Sequence, residues 1–535
     1  MPGATDRFDS PVGTDRARAP RLQASGTFQR ACSCLVLLFS FLLPSCAPQL
    51  TPEQRRRDIE YLAMWAGDYH PCVELNESLK GLPGYKALLP RYVELAETAR
   101  TNEDFLHIAW GYANLIGASG HGYLLDEEML TGYLIDSLWT GAKGMSNIPW
   151  HQFHKASYWA KLYDRSFVHP PFFVDRRGQE YFTGNDWSVW GRRIPKGSQI
   201  LRVNGMTCAA YRASVQQTTW LRDVAGPVGG IGRHLLVVLE EGSLKGWNMV
   251  FGLPDGSERE LFVPASKGLP RRHPTAFTDW RKDNCICLEL AEDVGYIRVK
   301  AMVHFLRQKD EKKIRRFLEA SGGAYKKLII DIRRNGGGST FYVYDTLIRP
   351  FLDEPATYTQ VTGVKRKFLL NTEPDYLERL RAGLSIWALE TQIEEIEPLE
   401  GFDPDDWTFF RITRQVRPAD RYRFGGRLFV LMDGGCGSAT DTYIDAVKRT
   451  GLATLVGQPS AGSMGGYLMA TTVRLPESGM IFRMEADLDV NADGSLHEMV
   501  GVRPDVVLPD SGLPYRTDKE ELLKDPWVQT VLNEP

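Results

Sequence analysis

Two apolar runs, Lys327-Leu-Ile-Ile-Asp-Ile332 and Leu428-Phe-Val-Leu-Met432, each lead straight into a glycine-rich segment. Short continuous runs of this kind, bounded by turn residues, predict strands buried on both faces. Around them the pattern alternates. Residues 295–299 predict another strand, residues 309–320 a helix with its charges toward solvent, and residues 453–456 a strand after a helix-like run opening at Ser438. Strands alternating with helices predict an α/β core with a mainly parallel sheet. Within that core, residues 351–423 are acidic and aromatic and predict a helical insertion, with Glu390, Glu394, Glu395, Glu397 and Glu400 on its solvated face.

Upstream the pattern changes twice. Residues 47–165 show mostly helical spacing; Thr51 is placed to cap a helix that has Pro52 at its first position. Residues 166–270 break into short strands. There Ile200-Leu-Arg-Val-Asn-Gly205 runs into an Asn-Gly turn and resembles the signature of PDZ domains, which bind extended peptides at a sheet edge. Residues 271–515 hold the core, and residues 516–535 are expected to form a C-terminal tail.

The first 46 residues have a different character. Arg7, Arg16, Arg18, Arg21 and Arg30 precede the apolar run Leu35-Val-Leu-Leu-Phe-Ser-Phe-Leu-Leu43, which is too short to span a bilayer and fits a secretory leader. Leu43-Pro-Ser-Cys46 resembles a bacterial lipoprotein box, which implies lipidation of Cys46 and attachment to a membrane on the periplasmic side. A net charge of −3 over 535 residues leaves no electrostatic footprint for nucleic acid. The remaining cysteines, 72, 208, 285, 287 and 436, are odd in number and scattered, and they make neither a disulfide framework nor a zinc set. Cys285 and Cys287 share one strand face, as core packing would have it.

The chemistry gathers at the two turns. In Asp433-Gly-Gly-Cys-Gly-Ser-Ala-Thr440, Ser438 starts a helix, where unpaired N–H groups and the helix dipole favour an oxygen gaining negative charge. The competing reading is a helix cap. Arg333-Arg-Asn-Gly-Gly-Gly338 lacks the lysine of a P-loop and the glycine spacing of a dinucleotide fold, which leaves an oxyanion hole. The absence of Gly-x-Ser-x-Gly disfavours an α/β-hydrolase elbow.

Asp331-Ile-Arg-Arg-Asn-Gly-Gly-Gly338, Gly435-Cys-Gly-Ser-Ala-Thr440, Ala453-Thr-Leu-Val-Gly457, Gly501-Val-Arg-Pro-Asp505 and Gly295-Tyr-Ile-Arg-Val299 together resemble, in order, the motifs of tail-specific (C-terminal-processing) serine proteases. The resemblance implies a ClpP/crotonase-like α/β core with a PDZ-like β-rich insert and an N-terminal helical domain. It also implies a polypeptide substrate and no metal or organic cofactor. Many members pair the serine with a lysine, but here that place holds Ser463, and no lysine occurs between Lys448 and Lys519. Lys448 lies about 15 Å along the helix. The chain instead resembles the histidine-using branch typified by the tricorn core and retinoid-binding-protein-like members. That resemblance implies Ser438 as nucleophile, His121 in Ser119-Gly-His-Gly122 as general base, and Glu498 as the orienting carboxylate. Gly336, Gly337 and Ala439 would supply the oxyanion hole, with Ser119 and Ser463 as accessory residues. His497 is a rival base; on a strand it would face away from Glu498. The alternative function is a relative without turnover, binding peptide or lipid at the cell surface. A crotonase-like acyl-CoA enzyme fits poorly with a leader and a PDZ-like insert.

Overall fold

In the computed structural model the two apolar runs become neighbouring parallel strands, Lys327–Asp331 and Arg427–Met432, with Asp331 opposite Leu431. The structure describes residues 48–74, 84–115, 123–127, 129–131, 153–177, 180–215, 238–239, 245–267, 280–371, 375–419, 424–462, 464, 471–509 and 517–534. The central sheet has the order Cys285–Ala291, Val294–Val299, Lys327–Asp331, Arg427–Met432, Thr454–Gly457, Val506–Val507. Only its first pair is antiparallel.

Alternation along the strands decides which helix each face meets. Leu328, Ile330, Val430 and Met432 pack with Ile314 and Leu318 of helix Arg307–Ala320 and with Tyr443, Ile444 and Val447 of helix Ala439–Thr450. Ile329, Phe429, Leu431 and Val456 face the other way, onto Trp527, Val528 and Val531 of helix Pro526–Asn533. The segment expected as a C-terminal tail therefore closes one face of the core. Helix Arg307–Ala320 also departs from a fully solvated polar face: buried Asp310 accepts from Asn284 Nδ2 at 2.7 Å and from Tyr342 Oη at 2.9 Å.

The insertion is not helical in the main. Ala388–Ile396, Trp407–Val416, Ala356–Lys365 and Asp487–Val490 form an antiparallel sheet in that order, joined by the short helices Arg366–Asn371 and Tyr376–Leu384. Aromatic and β-branched residues in Trp-Thr-Phe-Phe-Arg-Ile-Thr favour a pleated surface and outweigh the glutamate pattern. The glutamates lie on or beside an edge strand, where charge discourages further strand pairing. Glu394 reaches across to Arg411 at 3.0 Å.

Helices Pro52–Tyr69, Tyr85–Thr98, Asn102–Asn114 and Phe153–Ser166 dominate the N-terminal part, and Thr51 forms a capping box with Gln54. Their core is shared with the antiparallel sheets: Leu62, Trp65, Trp110 and Trp159 pack in one cluster with Val364, Phe410, Ile412 and Phe482. Residues 168–265 have a core of their own around Ile200, Trp247 and Phe251. Within it Asn204 and Gly205, at φ +50° and +78°, turn strand Gln199–Val203 into Met206–Thr207, the positive φ values a tight hairpin requires. Among the described residues no helix is long and apolar enough to cross a membrane. The expected leader, with Cys46, lies outside the described residues.

Candidate active site

Because the two central strands are parallel and in register, their carboxyl ends emerge side by side, where α/β sheets hold ligands. The turns that follow are stitched together. Asn335 Nδ2 donates to the Val299 carbonyl at 3.2 Å, and its Oδ1 accepts the Gly337 N–H at 3.0 Å. The Asn335 carbonyl accepts the Gly437 N–H at 3.2 Å. Asp433 Oδ1 accepts Arg334 N–H at 2.7 Å and Gly435 N–H at 3.0 Å, one from each turn. The Cys436 thiol donates to the Ile332 carbonyl at 3.1 Å. Burial, then the Asp433 charge, pushes that thiol well above its usual range, so it serves as a neutral donor.

Beneath the turns lies a buried ionic knot. Asp331 accepts from Tyr296 Oη at 2.7 Å and from Arg333 Nε and Nη2 at 3.0 and 2.7 Å. Arg333 Nη1 reaches Asp525 at 2.7 Å, and its guanidinium lies over Trp527. Arg298 donates to the Asp331 and Arg333 carbonyls at 2.9 and 2.7 Å. Burial raises the Asp331 carboxyl, but Arg333 and Arg298 more than offset it and hold the pKa below the ordinary value. The Asp-x-Arg of the motif thus braces the backbone below the glycines.

Ser438 sits at φ +55°, ψ −127°, immediately before helix Ala439–Thr450, and its side chain makes no capping hydrogen bond. A non-glycine residue in that region is strained. The capping reading does not describe it. Gly337, at φ +102°, passes so close that a Cβ there would stand 2.6 Å from Ser438 Cβ and 2.5 Å from the Gly437 carbonyl. Gly338 pairs with Met302, whose carbonyl accepts Ser339 N–H at 2.7 Å. Among the described residues the N–H groups of Gly336 and Ala439 meet no acceptor. Gly337 differs: its N–H is already given to Asn335, so it supplies shape in place of a donor.

Glu498 and His497 lie on a single helical turn, His497–Val500, and both are buried. The expected strand, with the two side chains on opposite faces, is absent; on a helix successive residues are separated by about 100° and both can enter one interior. Glu498 Oε1 accepts the Asp489 N–H at 3.1 Å. Burial first, then the Asp489 charge, raises its carboxyl well above the usual range, while His497 pulls it down. This turn is linked to the serine turn: Gly501 N–H donates to the His497 carbonyl at 2.8 Å, Ser460 N–H to Val502 at 3.1 Å, and Ala461 N–H to Cys436 at 2.8 Å.

His121, Ser119 and Ser463 lie outside the described residues. The described chain resumes at Tyr123, which pairs with Arg483. Lys448 pairs with Asp505, the last residue of Gly-Val-Arg-Pro-Asp, and Asp505 Oδ2 also accepts Leu455 N–H at 2.8 Å. That motif is therefore a structural brace and holds the lysine away from the serine. Asp433 and Asn335 were missed in the sequence, although each carries a signal, an Asx residue two positions before a turn glycine.

Residues 293–508 match peptidase family S41. The chain carries an S41 peptidase domain. This is the tail-specific protease family that the ordered motifs resemble. A protein of Chlamydia pneumoniae is 26% identical over 216 residues, 36% of this chain and 35% of that protein, so the chain spans about a third of the curated relative it matches. Mature CPAF has the same fold, with a TM-score of 0.57 at 13% identity over 87% of this chain and 94% of that one. The structure of mature CPAF complexed with lactacystin gives 0.55 at 14% identity, over 87% and 95% of the two chains.

Proposed function

We propose that the chain is an exported serine endopeptidase acting on polypeptides. Ser438 Oγ attacks the scissile carbonyl while His121 takes its proton and returns it to the leaving amine. Glu498 orients His121 and stabilises its imidazolium, and the Gly336 and Ala439 N–H groups receive the oxyanion. The PDZ-like segment binds or gates the substrate chain, and a lipidated Cys46 attaches the enzyme to a membrane. The observation that carries this reading is Ser438: a strained, uncapped serine at a helix start, with Gly337 pressed against its Cβ.

A fluorophosphonate probe tests it. The wild-type chain is expected to label, and Ser438→Ala to lose labelling with an unchanged melting temperature. His121→Ala and Glu498→Gln should slow labelling by about a hundredfold or more. An unlabelled wild type that binds peptides or lipid would favour the second reading, a relative without turnover. One observation supports that second reading: the Gly337 N–H is occupied by Asn335.

A further inference from the structure

We infer that His497 is a buried imidazolium that locks the first turn of the Ser438 helix to the segment carrying Glu498, and so is a positioning residue that weakens the hold of Glu498 on its proton. The inference rests on the Ser438–Glu498 reading of the site.

The charge state follows from hydrogen-bond direction. Asn491 Nδ2 donates to the Gly501 carbonyl at 2.8 Å and to Ser495 Oγ at 3.0 Å, which fixes its amide and turns Oδ1 toward His497 Nδ1 at 2.9 Å. An amide oxygen only accepts, so Nδ1 carries a proton. On a neutral ring Nε2 would then be a bare acceptor, yet it faces Asp441 Oδ2 at 3.6 Å with both side chains fully buried. Two buried acceptors facing each other are costly, and a second ring proton removes the conflict. Asp441 is the third residue of the helix that Ser438 opens. The imidazolium thus joins that helix to Asn491 and to Glu498, the next residue in the chain.

The surrounding charges agree. The groups facing this region are Asp441, Asp445 and Arg449 from the helix, Asp489 from its strand, and Glu498 from the same turn. Arg449 is bonded to Asp445 at 2.8 Å and also favours the Asp489 charge, while His497 is the cation that acts on Glu498 and Asp489 from the same turn as Glu498. Burial lowers its pKa, but Asp441 and then Glu498 and Asp489 raise it to about 9. Without that cation, buried Glu498 would hold its proton to still higher pH.

Two measurements on the full chain test the inference. Nitrogen-15 NMR of histidine-labelled protein should find both His497 ring nitrogens protonated at about pH 8, above the ordinary histidine range; a neutral ring there overturns it. In fluorophosphonate labelling, His497→Gln should move the acidic limb of the pH–rate profile to higher pH, with about a tenfold loss on that limb for each unit of carboxyl shift. A uniform loss with the acidic limb unmoved, or no loss, overturns it and leaves the peptidase reading intact. Absence of any wild-type labelling overturns the peptidase reading and the catalytic half of the inference, while a doubly protonated ring still upholds the ionic lock.

Discussion

Ser438 is held in a conformation that costs on the order of 1–3 kcal/mol for a residue with a Cβ. Asn335, Asp433 and Cys436 supply the hydrogen bonds that impose it. The strain aims a side chain that caps nothing, and this separates it from an ordinary helix-start serine. Stability at this scale should depend on pH through His497 and Asp489. The His497 ring, at about 9 when folded, lies above the unfolded value, so its contribution is fully present below about pH 6.5 and is lost as pH rises through about 9. Burial, with Asp445, raises Asp489 to about 7 against His497 and Arg449, so the folded state also holds an extra proton between about pH 4 and 7. Both terms have the same sign. Urea unfolding should show stability falling from about pH 6 to 9, with His497→Gln flattening the upper part of that fall. Stability that climbs over this range would contradict the assigned protonation.

The elements that matter are two strand–turn units, and their sequences state most of what they do. Leu428–Met432 and Leu328–Ile330 alternate between two cores because the strand period is two, so the buried sheet was readable without coordinates. The motif glycines divide by geometry, which sequence does not show. A Cβ on Gly336 meets open space, while one on Gly337 meets the Ser438 turn, at a φ that side chains rarely adopt. Gly337→Ala should therefore lower fluorophosphonate labelling more than tenfold and cost about 1–3 kcal/mol on melting, whereas Gly336→Ala should melt like wild type. Equal behaviour of the two variants would count against the close approach. The insertion shows the opposite case: its glutamates suggested a solvated helix, but cross-strand partners such as Arg411 exist only once the sheet forms.

For the whole molecule, the S41 match at residues 293–508 understates the folding unit. Val364, Phe410 and Ile412 within it share one core with Leu62, Trp65, Trp110 and Trp159. A chain beginning at residue 280 would expose that apolar face to water, losing about 1.5–3 kcal/mol for each large side chain uncovered. It should aggregate or lack a cooperative melting transition by calorimetry; a soluble, sharply melting product would show that the helical part is dispensable. The C-terminal helix belongs to the core for the same reason, since Trp527 and Val531 cover the second face of the sheet.

By itself the sequence determined the parallel α/β core, the two glycine turns, the family motifs in order and the unusual serine. These are local signals, set by a period of two and by residues suited to positive φ. The tertiary structure alone decided that Gly337 is a spacer and that Asp505 holds Lys448 away. It also decided that the glutamate insertion is a sheet, and that His497 turns inward against Asp441. Each of those depends on partners far apart in the chain, and a hydrogen-bond direction or a buried charge has no meaning until folding brings the partner near. Ser438 could be found by reading along the chain; what strains it, and the ionic lock inferred beside it, could not.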